Sequence, residues 1–388
     1  MCNMNSGDII IIGAGAAGLT AAGVALKHGK RVLVLEMGDT VARKVMASGG
    51  GRCNITNAAV ATDKYHGANP YFVRSAITKV PYTDILNWAY EHNIDLYEKT
   101  PGRYFCTNGA QSVVNAMMSD ARDATIYTNQ NVQHVHKIDN TFYVKTQDAT
   151  YTAPAVIVAT GGTSFATLGV SDVGWKIAKH FGHKIIPVRP ALGAMNIKNA
   201  PAELAGIALP VQISVGRNKI NDDMLFTHHG IGGPAAYRAS VFDIDDGISI
   251  DLMPNKNAME ILKNAKQQSG RKNVANVLGE YMPMRVAKWI AGDDTRNIAD
   301  IKDSEIAIIA DRIHKWRICA DDIKMHGMAA AEVVRGGVCV DEISSKTMES
   351  KLCDGLFFAG EVMDVAGDLG GFNLHWAWAS GRVAGMNA

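Results

Sequence analysis

The sequence predicts an α/β fold, in which a parallel sheet with flanking helices and a β-hairpin layer is interrupted by an inserted β-rich and helical domain. Three observations predict it. A β-branched run meets a glycine cluster near the start. A short strand ending in glycine and carboxylate stands near the end. Between about 191 and 331 the strand–helix alternation is lost. At 388 residues the chain exceeds the ~250–300 residues at which one hydrophobic core stops growing. The expected organisation is therefore a first domain over 1–190 and 332–388, with the insertion over 191–331.

The strand Asp8-Ile9-Ile10-Ile11-Ile12 reads as buried and parallel, because a β-branched run bounded by glycine suits a sheet interior. Gly13-Ala14-Gly15-Ala16-Ala17-Gly18 follows as G-x-G-x-x-G and opens a helix over Ala16 to His28. Gly29-Lys30 ends that helix, Arg31 to Leu35 is the second strand, and Glu36 closes it eighteen positions after Gly18. The spacing predicts a dinucleotide site. Gly13 permits the turn, Gly15 lets backbone N–H groups approach a pyrophosphate, Ala16 and Ala17 open the helix beside it, and Gly18 lets helix touch strand. Glu36 is expected to accept from an adenosine ribose, and its charge disfavours a 2′-phosphate.

Val132 to Ile138 and Thr141 to Thr146 alternate as a hairpin turning at Asp139-Asn140, with Val132 placed among the cofactor-binding candidates. Ala155 to Ala159 is a buried strand ending in Thr160-Gly161-Gly162, and Thr160 and Gly161 join the same set. Far downstream, Leu356-Phe357-Phe358-Ala359-Gly360-Glu361 repeats the form strand, glycine, carboxylate. Gly370-Gly371-Phe372-Asn373 then leads into a final helix over Leu374 to Met386. These pieces resemble the glutathione-reductase-like class of FAD proteins. The resemblance implies that Gly360 and Glu361 hold the ribityl chain. It also implies that the last helix aims its N-terminus at the flavin pyrimidine, with Gly371, Phe372 and Asn373 in contact; a helix start carries about half a positive charge, which favours anionic reduced flavin.

Arg43-Lys44-Val45-Met46-Ala47-Ser48-Gly49-Gly50-Gly51-Arg52-Cys53-Asn54-Ile55-Thr56-Asn57 places three glycines between Lys44 and Arg52. Exposed N–H donors plus cations suit a phosphate or a flavin edge. The string resembles the signature R-K-x-x-x-S-G-G-G-R-C-N-x-T-N of the BaiN and aminoacetone-oxidase family of bacterial flavoproteins. Further matches run in the family's order, among them Phe226-Thr227-His228-His229-Gly230-Ile231-Gly232-Gly233-Pro234 and Phe358-Ala359-Gly360-Glu361-Val362-Met363-Asp364-Val365. The resemblance implies that this loop wraps FAD through Lys44, Ser48, Gly50, Arg52 and Asn54. Cys53 is expected to be a packed structural cysteine. Cys106 stands where relatives tend to carry proline in G-R-x-F-P, and Tyr104 or Arg103 beside it is a candidate to face substrate.

In the insertion, strand patterns at Leu209 to Val215, Asp223 to Phe226 and Ile248 to Leu252 precede helical patterns. The helical patterns cover Ala258 to Gln268, Val274 to Tyr281, Met284 to Ala291 and Ser304 to Trp316. The resemblance implies that this unit covers the flavin and leaves a substrate cleft. No second G-x-G-x-x-G occurs, so NAD(P)H, the possible electron donor, would dock transiently in that cleft. His228 and His229, beside a glycine turn, are candidate proton donors, and Tyr104 is a third. No H-E-x-x-H or carboxylate partner makes them a metal site. Trp376, Trp378, Met325 and Met328 are expected in the core.

Composition narrows the function. Lys+Arg 39 against Asp+Glu 38 leaves a net charge of +1, too small a field to gather nucleic acid or an anionic membrane, so the expected partner is a small molecule. The 47% hydrophobic and 20% charged fractions are those of a globular protein. The cysteines Cys2, Cys53, Cys106, Cys319, Cys339 and Cys353 form no C-x-x-C pair. Neither a zinc site nor a dithiol couple follows from their spacing, and a reduced, cytoplasmic setting is expected. No apolar stretch nears the ~18–20 residues that cross a bilayer, and polar Met1 to Gly7 suggests no signal peptide. The expected activity is an FAD-dependent oxidoreductase passing hydride through flavin N5 to or from a small organic substrate. Oxidation of a small amine with oxygen, or a flavin-binding module without turnover, are the alternatives.

Overall fold

A computed structural model describes residues 5–268 and 271–388; Cys2 lies outside the described residues. They form two compact units, residues 1–191 with 332–388, and residues 192–331. Among the described residues no helix is long and apolar enough to cross a membrane.

The discontinuous unit is built on a five-stranded parallel sheet. Its central strand β1 (Ile9–Ile12) pairs on one side with β2 (Val32–Leu35) and on the other with Ala155–Val158; Leu356–Phe358 and Thr125–Tyr127 form the edges. All four isoleucines of β1 are buried. Each contributes about 1.5–3 kcal/mol, which makes this strand the anchor of the sheet. The last strand of this sheet in sequence, Leu356–Phe358, thus lies one strand away from the first, with Ala155–Val158 between them.

Helix α1 (Ala16–Lys27) packs against the final helix, Phe372–Asn387. Their contact is backbone on backbone. A methyl group on Gly381 would stand 2.4 Å from the Ala17 carbonyl oxygen, and one on Gly385 would stand 2.4 Å from that of Ala21. Trp376 and Trp378 are buried as expected, each donating from its indole to a backbone carbonyl, Gly360 and Ile55 respectively. The hairpin of Val132–Ile138 and Thr141–Thr146 turns at Asp139, whose φ of 51° is left-handed, and Thr150–Ala153 completes a three-stranded layer.

Two local expectations need correction. The segment from Arg43 to Asn57 is more regular than a loop, holding a short helix α2 (Arg43–Ala47) and a strand β3 (Asn54–Asn57) that pairs with Arg103–Cys106. The final helix begins at Phe372, not Leu374, because Gly371 takes φ +98° and ends the incoming loop there.

The other unit carries a seven-stranded sheet, its pairs antiparallel. Ala208–Val215 and Asn218–Thr227 form its long hairpin, the second strand running well beyond the Asp223 to Phe226 expected from pattern. Helices Ala258–Gln268, Val274–Leu278, Met284–Ala291 and Asp303–His314 contribute Leu262, Val277, Val286 and Ile306 to one core with Ile213, Phe226 and Ile250 from the strands. Met325 packs partly buried against that core.

Candidate functional site

Strand β1 ends in Gly13, whose φ of +104° turns the chain sharply into α1. Gly18 is required for a different reason: a methyl group there would stand 1.9 Å from the Gly13 carbonyl oxygen. Gly15 contrasts with both. A methyl group on it would meet no atom within 4 Å, so open space lies in front of the helix start. Gly15 offers α1 no side-chain cap and the first turn has no acidic residue. The N–H groups of that turn therefore face outward with their partial positive charge uncompensated, which fits a pyrophosphate.

Glu36 lies at the carboxyl end of β2, where its carboxylate accepts from Ala14 N–H (2.8 Å) and Gly38 N–H (2.8 Å) and meets Arg43 Nη2 at 3.3 Å. Three donors leave acceptor capacity for ribose hydroxyls, since a carboxylate offers about four lone-pair sites. Gln130 N–H donates to the Glu36 carbonyl (2.8 Å), so the chain entering the hairpin at Val132 runs along the same strand end; the Val132 side chain itself is buried.

At the opposite end Gly360 comes against Ala17, where a methyl group on the glycine would stand 3.0 Å from the Ala17 Cβ. Sequence positions 17 and 360 thus meet. Glu361 beside it is engaged on both oxygens: it accepts from Lys44 Nζ (2.9 Å), Gly162 N–H (3.2 Å) and Val334 N–H (2.8 Å), and it lies 3.2 Å from Ser164 Oγ, whose one proton is shared with the Glu332 carbonyl at 3.1 Å. Lys44 also donates to the Gly162 carbonyl and to Ser164 Oγ, each at 2.9 Å. Glu361 thus clamps α2, the turn after Ala155–Val158 and strand Val333–Val338 together. A ribityl chain gripped by this carboxylate would share its oxygens with those protein donors.

The start of the final helix is held from beneath. Asn57 Nδ2 donates to the Gly370 carbonyl (2.7 Å). Asn54, with its amide oriented to satisfy both neighbours, accepts from Gly371 N–H (3.1 Å) and donates to the Tyr104 carbonyl (3.2 Å). Asn373 spends its side chain on the preceding loop, accepting from Gly367 N–H (2.8 Å) and donating to the Gly367 carbonyl (2.9 Å). The Phe372 ring is buried edge-on against Tyr65. The Phe372 and Asn373 side chains are thus engaged by the protein, and the helix also offers its uncapped first turn of N–H groups.

Buried His375 sits one turn further on. Its Nε2 donates to the Val80 carbonyl (3.0 Å), so its Nδ1 accepts from the Thr56 hydroxyl (2.9 Å). Burial pulls its pKa down to about 4, keeping it neutral.

In the glycine loop, Gly50 and Gly51 face open space and Arg52 is exposed, reaching only the Tyr97 hydroxyl at 3.4 Å. Ser48 turns away: its hydroxyl donates to the Val45 carbonyl (2.7 Å). Thr160 likewise turns its hydroxyl against Gly174, without a hydrogen-bond partner, and keeps only its backbone for a ligand. Gly161 takes φ +71° nearby. Cys53 is buried as expected, and Cys106 lies beside it. Arg43, Ser164, Val334 and His375 were not singled out from sequence; only Arg43, inside the quoted string, carried any signal there.

Tyr104 stacks on Tyr82, ring centroids 6.3 Å apart, and burial with neighbouring Glu98 and Tyr82 raises its phenol pKa. His228 and His229 belong to the other unit. They are exposed at the turn between Asn218–Thr227 and Gly230–Gly232 and line a groove of about 540 Å³ with Asn196, Lys198, Asp321, Asp322 and Lys324. Among the described residues no cluster of His, Cys, Asp and Glu could hold a metal ion.

A Ser–His–Glu trio also occurs, Ser350 Oγ to His183 Nε2 at 2.7 Å and His183 Nδ1 to Glu342 Oε2 at 3.2 Å. Ser350 Oγ additionally accepts from Leu352 and Cys353 N–H at 3.0 Å each. Both its lone pairs are engaged, so the trio fixes a turn and supplies no nucleophile.

A family model described as "HI0933-like protein Rossmann domain" matches residues 7–387. The "Ribosomal RNA dihydrouridine synthase" of Haemophilus influenzae is 37% identical over 97% of both chains. The protein of the same name from Escherichia coli is 34% identical over 96% of both. The "3-dehydro-bile acid delta(4,6)-reductase" of Clostridium scindens is 29% identical over 97% of this chain and 98% of its own. Among solved structures, the 3-ketosteroid-delta4-(5alpha)-dehydrogenase of Rhodococcus jostii superposes with a TM-score of 0.50 at 14% identity. That match covers 99% of this chain and 97% of that one and shows a shared fold.

Proposed function

The chain belongs to the HI0933-like FAD-binding Rossmann family of flavin-dependent oxidoreductases, and from that premise we propose that it reduces a carbon–carbon double bond conjugated to a carbonyl. The uracil ring of a uridine in ribosomal RNA is the substrate we favour. The observation that carries this reading is a shared bond type. Making dihydrouridine saturates the uracil double bond next to a carbonyl, and a delta(4,6)-reductase acts on the conjugated system of a steroid ketone. One electrophile accounts for both names.

When bound, FAD supplies hydride; the chain's residues do the rest. The Gly15 turn and the first turn of α1 hold the pyrophosphate, and Glu36 takes the adenosine ribose. The first turn of the final helix, propped by Asn54 and Asn57, places backbone donors where negative charge gathers on reduction. The Lys44–Glu361 clamp fixes the turn at Gly162 between them. Reducing the conjugated bond also requires a proton at the carbon next to the carbonyl. Tyr104, a phenol that carries its proton at neutral pH, is the donor we favour; His228 and His229 are the others. NAD(P)H is the proposed electron source.

The test is incubation of the FAD-loaded protein with NAD(P)H and unmodified ribosomal RNA, followed by nucleoside mass spectrometry. New dihydrouridine supports the reading. Consumption of NAD(P)H with small enones but none with RNA would move the substrate to a small molecule, the reading that the net charge of +1 favours. Flavin bleaching by a small amine alone would instead support amine oxidation.

A further inference from the structure

We propose that Cys53 and Cys106 form a redox-responsive dithiol that closes to a disulfide beneath the glycine loop. Cys53 immediately precedes β3, with φ +50°, and Cys106 ends the strand that β3 pairs with, so the register of Asn54 with Phe105 leaves the two cysteines adjacent. Cys106 N–H reaches the Arg52 and Cys53 carbonyls at 2.9 and 3.4 Å. The two thiols lie near enough to perturb each other's ionisation.

The pair is polarised. The interaction with Cys106 holds the Cys53 thiol below its ordinary range, while the same interaction and burial push Cys106 up. Cys53 is thus the nucleophile and Cys106 the resolving thiol. Both are buried, but residues 49–52 directly before Cys53 are exposed, and Gly50 and Gly51 have nothing packed on them. A small opening of this cover admits a low-molecular-weight disulfide.

The exchange balances. The Cys53 thiolate attacks the external disulfide, forming a mixed disulfide and releasing one thiolate. Cys106 then gives up its proton and attacks the Cys53 sulfur, expelling the second thiolate. Two protein thiols are oxidised and one disulfide is reduced to two thiols. The product ties the strand leaving the glycine loop to Arg103–Cys106.

The test equilibrates the full chain with glutathione and glutathione disulfide, quenches by alkylation and maps peptides by mass. The expected result is a Cys53–Cys106 cross-linked peptide, a chain lighter by two hydrogens, and reversal by excess glutathione. In Cys106→Ala a glutathione adduct is expected to persist on Cys53 at least about tenfold longer than in the parent. Should that variant fail to fold, the double variant Cys319→Ala/Cys353→Ala is expected to lose the same two hydrogens. Separate alkylation of Cys53 and Cys106 after unfolding from a fully oxidising mixture would overturn the proposal. So would cross-links confined to Cys319 or Cys353. The assay needs neither flavin nor turnover, so its failure leaves the functional reading standing.

Discussion

Glu36 and Glu361 both follow short parallel strands, yet they do opposite work. Glu36 accepts three donors from its own neighbourhood and keeps capacity for a ligand. Glu361 is met by groups from three separate segments, which tie both its oxygens into the protein. A carboxylate's role is thus set by how many backbone and cationic donors the fold aims at it. The glycines divide in the same way: Gly18 is forced by a backbone contact, whereas Gly15 borders open space.

The contrast breaks most severely at Gly18. Gly18→Ala places a methyl group against the Gly13 carbonyl, and a loss of more than about 3 kcal/mol, or failure to fold, is expected in urea unfolding followed by circular dichroism. Acid acts next, through the support under the final helix. His375 has its folded pKa depressed from 6.5 to about 4. Its contribution is therefore fully present above pH 6.5 and is lost as pH falls from there towards 4. The expected loss is about 3 kcal/mol, and His375→Gln should flatten that part of the pH dependence.

Removing the clamping carboxylate is expected to cost about 2 kcal/mol, because Glu361→Ala takes the counter-charge from Lys44 and strands two N–H donors. Measured unfolding free energies for the single and double variants with Lys44→Met should show strong coupling. Additive effects would mean that the clamp does not exist. The smallest structural effect is expected at Gly15. Gly15→Ala should leave the stability of the flavin-free protein within about 0.5 kcal/mol, yet weaken FAD retention about tenfold in fluorescence titration. Stability and retention falling together would erase the distinction between the two glycines.

The strand–turn–helix–strand opening was legible because all its determinants lie within 36 residues: the isoleucines, the glycines and Glu36 state their roles through spacing alone. The hairpin around Asp139-Asn140 was legible for the same local reason. The start of the final helix was misplaced by two residues, since Phe372 and Asn373 look like loop until the contacts of Gly371 with Thr56 and Asn54 are known.

The sequence by itself determined the nucleotide-binding turn, the helix that follows it and the carboxylate at the end of β2, because short-range sterics and hydrogen bonding fix those. Tertiary structure alone decided that Glu361 is clamped by Lys44, 317 positions away, that His375 is kept neutral by burial, and that Cys53 has Cys106 for a neighbour. Strand order and burial choose such partners, and a buried polar group takes whichever donor or acceptor the folded chain brings within reach.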